Sequence, residues 1–122
     1  MHLSQAIMKG IELRKKRAQG VYFAGLDKSD VLGAAYHGAT GETEVHNHMV
    51  GTYLDENFPI LKRRVSNPET GKIATLKLVL RQLNDKHQWK RKNIARFVES
   101  VELRNGVTEA NMEDDETPDI SG

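Results

Sequence analysis

The chain has 122 residues, 38% of them apolar and 29% charged, with a formal net charge of +1 and no cysteine. That length accommodates one modest core and not two, and the apolar share is too high for a wholly disordered chain. Without cysteine there are no disulfides, thiol catalysis or thiolate metal sites, and a reducing compartment is permitted, so the cytoplasm is the expected location.

The balance of charge is uneven along the chain. Residues 109–122 hold six acids (Glu109, Glu113, Asp114, Asp115, Glu116 and Asp119) and no Lys or Arg, so the preceding 108 residues carry 18 bases against 11 acids, a net of +7. A basic body with an acidic tail suits a polyanionic partner, a self-shielding tail, or a merely solvated one. The opening MHLSQAIMKGIELRKKR lacks the charged-then-apolar order of a signal peptide, and no apolar run approaches the roughly 18 residues that span a bilayer, so no membrane partner is expected.

In chain order, the first helix is expected to begin at Ser4 as N-cap, with Leu3 and Met8 as a hydrophobic staple. Leu3, Ala6, Ile7, Gly10 and Ile11 fall on one face, and the run Arg14, Lys15, Lys16 and Arg17 is placed in the last turn, where it complements the helix dipole, with Gly20 as the stop. Gly10 on the inner face implies close approach of another element, since it costs about 1 kcal/mol relative to Ala. Val21–Phe23 supports at most one small strand or hairpin. Ser29 or Asp30 caps a second helix through VLGAAYHG, which Gly38 or Gly41 ends; its Gly33, Ala34 and Ala35 make a slim packing surface.

Residues 39–50 show no periodicity and read as a loop. Tyr53, Leu54, Phe58, Ile60 and Leu61 return as apolar anchors, Pro59 marks a short helical turn, and Lys62, Arg63 and Arg64 form a second basic cluster. SNPETGK is a turn by composition. A long helix is predicted from Lys72 or Ile73 to Leu83, and another from Lys90 to Leu103 with Ile94, Phe97, Val98 and Val101 inward and Trp89 stapled onto Ile94. The predicted architecture is mainly α with at most a small hairpin: one compact helical domain over residues 1–107, closed by a helix-turn-helix-like αα-hairpin, and a disordered acidic tail over 108–122.

No phosphate-binding loop, nucleophile elbow, H-E-x-x-H or paired-carboxylate pattern occurs, so no cofactor is expected and an enzyme is the least supported class. His46 and His48 read as ordinary loop histidines. Asn84 and Asp85 suit a helix end and the turn that follows, His87 is expected to order that turn through a hydrogen bond, and Trp89 to sit in the core.

In LSQAIMKGIELR, VLGAAYHGATG and LNDKHQWKRKNIARFVESVE, the chain resembles a group of small uncharacterised phage and prophage proteins with an LSxAIxxG opening and an LNDxHxWxRxxIAxxVE block near the C-terminus. The three blocks span most of residues 3–102, and Leu83, Asn84, Asp85, His87, Trp89, Ile94, Ala95, Val98 and Glu99 match in the last. Some of those proteins look similar to a two-cysteine, two-histidine zinc finger. Laid onto this chain, the cysteines fall at Asn67 and Thr70, the first histidine at or near Gln82, and only His87 remains as a ligand type. Structural zinc needs four good ligands, so no metal is expected.

The resemblance implies a phage or prophage setting and with it the host cytoplasm, while small size, a slim helical body, charged tails and absent catalytic motifs suit an accessory protein acting by noncatalytic binding to a host or phage protein. The alternative is a nucleic-acid-binding regulator whose last helix presents Lys90, Arg91, Lys92 and Asn93 to bases and phosphates. Under either reading the expected contact residues are Arg14–Arg17, Lys62–Arg64, Lys90–Asn93 and Arg96.

Overall fold

A computed structural model describes residues 1–104; the segment expected to be an acidic tail lies outside them, as does the Asn105-Gly106 pair. The fold is predominantly helical, with five α-helices and two small sheets.

Helix α1 spans Leu3–Leu13. Its N-cap is His2 rather than Ser4, and the Gln5 side chain reaches back to accept the His2 amide at 2.9 Å. Ser4 lies one residue inside the helix and is drawn inward, its hydroxyl donating to Glu102 Oε1 at 2.6 Å and its amide to Oε2 at 3.2 Å. A carboxylate there meets the positive end of the α1 dipole. Met8 is exposed, so the expected staple with the fully buried Leu3 does not form.

The RKKR run does not continue α1. Arg14 takes an extended conformation as the C-cap, and Lys16–Arg17 form strand β1. With β2 (Phe23–Ala24) and β3 (Lys28–Ser29), it makes a sheet in the order β1-β3-β2, parallel between β1 and β3 and antiparallel between β2 and β3. Two-residue strands carry almost no periodicity, which is why the sequence suggests only one strand there. Gly20, at φ 78°, turns the chain into β2 and ends no helix.

Helix α2 (Val31–Thr40) begins and ends as its residues require: the Asp30 carboxylate accepts the Gly33 amide at 2.6 Å, and Gly41 closes the helix in the left-handed region. Gly10 and Gly38 let α1 and α2 touch along their backbones. A Cβ at Gly10 would overlap the Ala34 carbonyl, and one at Gly38 would overlap the Ala6 carbonyl.

The expected loop over 39–50 is half helix, since α2 runs on to Thr40 and α3 spans Asn47–Asn57. Only Val50 and Leu54 of α3 are buried, too few to mark a helical face in the sequence. Tyr53 anchors the helix through edge-on contacts with Tyr36 and Phe58, ring centroids 5.3 and 6.5 Å apart. A 3-10 turn follows at Pro59–Lys62, and of the two roles open to Pro59, starting or interrupting a short helical turn, it takes the first.

Strands β4 (Arg64–Ser66) and β5 (Ile73–Thr75) pair antiparallel around the SNPETGK turn. Ile73 therefore belongs to a strand, not to the start of a helix; Thr75 caps α4 (Leu76–Arg81) by accepting the Leu78 amide. The helix then widens into a π turn at Gln82–Lys86, and α5 runs over Arg91–Arg104. Leu3, Ile7, Leu32, Leu54, Leu76, Leu80, Leu83 and Ile94 lie in one buried cluster, and the most extensive helix contacts of α1 are with α2 and then α5.

Candidate functional site

The basic residues divide into two groups that the sequence alone does not separate. Arg14, Arg17 and Arg91 face inward. Arg91 is 5% exposed and donates to the Ser29 carbonyl (3.2 Å), the Ser29 hydroxyl (2.7 Å) and the Arg14 carbonyl (2.7 Å). Arg14 is 8% exposed, donates to the Gly25 and Lys28 carbonyls at 2.7 and 3.1 Å, and lies 5.0 Å over the Phe23 ring. Arg17 donates to the Asn84 carbonyl at 2.7 Å. Strands this short leave many carbonyls without ladder partners, and a guanidinium with five donors satisfies several at once. Burial pulls the Arg91 guanidinium below its ordinary pKa, with the Arg17 charge adding to that effect.

Arg14 and Arg91 are therefore removed from the expected contact surface. Lys15, Lys16, Lys62, Arg64, Lys90, Lys92, Asn93 and Arg96 remain exposed, and Arg63 is half-buried. Lys16 is paired with Asp27 at 3.3 Å.

The π turn is a structural hub. Asn84, 1% exposed, accepts the Val31 amide at 3.1 Å and donates to the Ala18 carbonyl at 3.0 Å and to Asp85 Oδ1 at 2.7 Å. Asp85 Oδ1 also accepts the Gly20 amide at 3.0 Å. His87 contributes to the turn through its backbone amide, which donates to the Gln82 carbonyl at 3.0 Å. Trp89 is half-buried against the core, and its indole donates to Glu69 Oε2 at 2.6 Å, tying the start of α5 to the β4–β5 turn.

Among the described residues, no group of three or more His, Cys, Asp or Glu side chains is arranged to hold a metal. His46 and His48 stack at 5.8 Å. Asn67 and Gln82, two of the positions aligned above with a finger-like ligand set, are joined by a 2.8 Å hydrogen bond from Asn67 Nδ2 to Gln82 Oε1. Asn67 Oδ1 meanwhile accepts the Glu69 amide at 2.7 Å.

Two concave surfaces stand out. The first is a groove of about 470 Å³ between α1 and α5, with the exposed Met8 as apolar surface over the buried Ala95, Lys9, Lys92 and Arg96 as bases, and Glu12 and Glu99 as acids. Lys92 and Arg96 are among the contact residues expected from sequence; Met8 and Lys9 are not. Their signal is the row Gln5, Met8, Lys9 and Glu12, at spacings of three and four on the flank of α1 away from its apolar face.

The second is a polar cleft, also about 470 Å³, lined by the Gly20–Tyr22 turn, Asp30, the start of α3 (Asn47, His48, Gly51), Arg81 and Asp85. Arg81 Nη2 and the Tyr22 hydroxyl are 3.1 Å apart. Tyr22 is fixed from behind, where its carbonyl accepts the Asp30 amide at 3.0 Å and lies against Gly33. Burial pushes the Asp30 carboxyl up to about 7, and the Asp85 charge adds to this, while the Gly33 amide and Arg81 oppose it. No sequence motif marks this cleft, because its residues come from four separate segments.

Comparison with protein-family models, with curated proteins and with solved structures yields no match. No helix among the described residues is long and apolar enough to cross a membrane.

Proposed function

We propose that the chain is a noncatalytic binding protein of a phage or prophage, acting in the host cytoplasm, and that it grips a host or phage protein in the α1–α5 groove. The observation that carries this reading is the exposed Met8 set beside exposed Lys9, Lys92 and Arg96 along a groove between two long helices, with the buried Ala95 as its floor. A partner segment with one apolar anchor and acidic flanks complements that arrangement, in the manner of helix-in-groove recognition. Glu12 and Glu99 supply the opposing charges that discriminate among such segments.

The nucleic-acid alternative treats α4, the π turn and α5 as a helix-turn-helix-like pair. It rests on the exposure of Lys90, Lys92 and Asn93 around the start of α5, and it loses Arg91, which is bonded inside the fold.

The test is capture from host lysate with the wild-type chain, the double variant Lys92→Glu/Arg96→Glu, and the distant variant Lys62→Glu. One stoichiometric protein that is retained by wild type and Lys62→Glu but lost by the double variant is the expected result. Equal capture by all three rejects the groove. Salt-sensitive binding of generic duplex DNA, abolished by the double variant, would replace the protein partner with a nucleic acid.

A further inference from the structure

We propose that the polar cleft bounded by Gly20–Tyr22, the start of α3 and the Arg81–Asp85 edge binds a compact cationic hydrogen-bond donor, an ammonium or guanidinium group. This does not depend on the α1–α5 groove, which is lined by different residues.

The cleft has the size of a small-molecule site, and two carboxylates line it. Asp30 is 6% exposed, and its Oδ1 is held by the Gly33 amide; Asp85 Oδ1 is held by the Gly20 amide and the Asn84 side chain. Both acids are oriented by neutral donors, and the one guanidinium in the wall, that of Arg81, is hydrogen-bonded to Tyr22. Asp30 is desolvated and also repelled by Asp85, so it holds its proton to about pH 7. A cation placed between the two carboxylates removes that repulsion and replaces lost hydration.

An anion would gain from Arg81 and from the amides at the start of α3, but it would have to approach Asp30 and Asp85. Asp85, joined by Asp30 once it has lost its proton, therefore favours a positive ligand. Asn47, His48 and the Tyr22 hydroxyl supply the remaining polar contacts in the wall. The π turn matters because Arg81 and Asp85 sit on either side of its start and both reach the cleft; such turns are frequent at functional sites.

Uptake of the cation favours ionised Asp30 and so releases its proton. The charged and titratable groups lining the cleft with Asp30 are Asp85, Arg81, His48 and Tyr22. His48 is the one imidazole among them, and its substitution separates its contribution from that of Asp30.

The experiment is a proton–nitrogen NMR titration of the full chain with methylguanidinium chloride at pH 6 and pH 8, with sodium chloride as the ionic control. Expected are shifts concentrated at Gly20, Val21, Gly33 and Gly51, with affinity roughly tenfold higher at pH 8. His48→Gln keeps most of that pH dependence. Asp30→Asn loses it, and Asp85→Asn weakens binding at both pH values. Asn at either position retains the oxygen that accepts the backbone amide, so the fold is preserved. No shifts at tens of millimolar probe, shifts that match the sodium chloride control, or undiminished binding by both Asn variants would overturn the proposal. An acetylated, amidated Gly-Arg-Gly peptide distinguishes the source: tighter binding than methylguanidinium assigns the cleft to a protein side chain, and weaker binding assigns it to a free amine or guanidine.

Discussion

Arg91 donates a 2.7 Å hydrogen bond to the backbone carbonyl of Arg14, joining the first turn of α5 to the end of α1. Two arginines from runs that read as surface charge thus meet in the interior. Replacing Arg91 by Ala leaves the carbonyls of Ser29 and Arg14 buried without this donor. The expected loss is about 3 kcal/mol in urea unfolding, against less than about 0.5 kcal/mol for Lys92→Ala on the exposed side of the same turn. Equal effects of the two substitutions would show that the guanidinium is not a structural brace.

Close approach of α1 and α2 depends on the missing side chains at Gly10 and Gly38, each facing a backbone carbonyl of the other helix. Gly10→Ala must push the helices apart and is expected to cost about 3 kcal/mol or more, visible as a lowered thermal midpoint. An Ala variant as stable as wild type would mean that the two helices do not pack at this distance.

Asn84 serves the Val31 amide, the Ala18 carbonyl and Asp85 from one buried side chain. Asn84→Ala strands an amide and a carbonyl together, so a loss of roughly 2–4 kcal/mol is expected. Asn84→Asp keeps the acceptor for Val31 but loses the donor to Ala18 and adds a charge beside Asp85, and should be no milder. Recovery of stability in Asn84→Asp would contradict the hub geometry.

Native Asp30 holds its proton up to about pH 7, whereas an unfolded aspartate releases it near about pH 3.9. Between those values the native state binds more protons than the unfolded state, so stability falls as pH rises. The slope from this group is at most about 1.4 kcal/mol per pH unit, and it vanishes below and above that window. Asp30→Asn keeps an acceptor for the Gly33 amide and should remove this component. Urea titrations across the window check it, and an unchanged slope in the variant would assign the pH dependence elsewhere.

The elements that were legible in the sequence are those with a cap and a sustained face. Asp30 and Gly41 bracket α2 as their chemistry requires, and the apolar spacing of Ile94, Val98 and Val101 marks α5 within one residue of its observed start. Gly10 and Ala34 mark the close α1–α2 contact by their small size, whereas Gly33 lies against the Tyr22 carbonyl. By contrast, α3 buries only two side chains and therefore hides among polar residues, and β1 to β3 are too short to show alternation. Ile73 read as the first apolar residue of a helix, yet it pairs with Ser66 in a hairpin that only tertiary contact reveals.

The candidate surfaces were less legible still. A basic run looks the same whether its arginines point to solvent or to unpaired carbonyls, and only the fold separates Lys92 from Arg91. Charge alone marks Lys92 and Arg96 as contact candidates, whereas Met8 reads as a staple residue and Lys9 as part of an ordinary amphipathic helix. The polar cleft had no local signature, since Asp30 reads as a helix cap and no motif surrounds Arg81.

Placement of the partner in the α1–α5 groove is tested most directly by site-specific photocrosslinking of the full chain in host cells. A benzophenone side chain at Gln5 or Glu99, both at the groove, should yield one discrete protein adduct, and the same group at Lys15 or Lys62 should yield none. Adducts confined to Lys15 or Lys62, or nucleic acid crosslinked in place of protein, would contradict a protein partner in the groove.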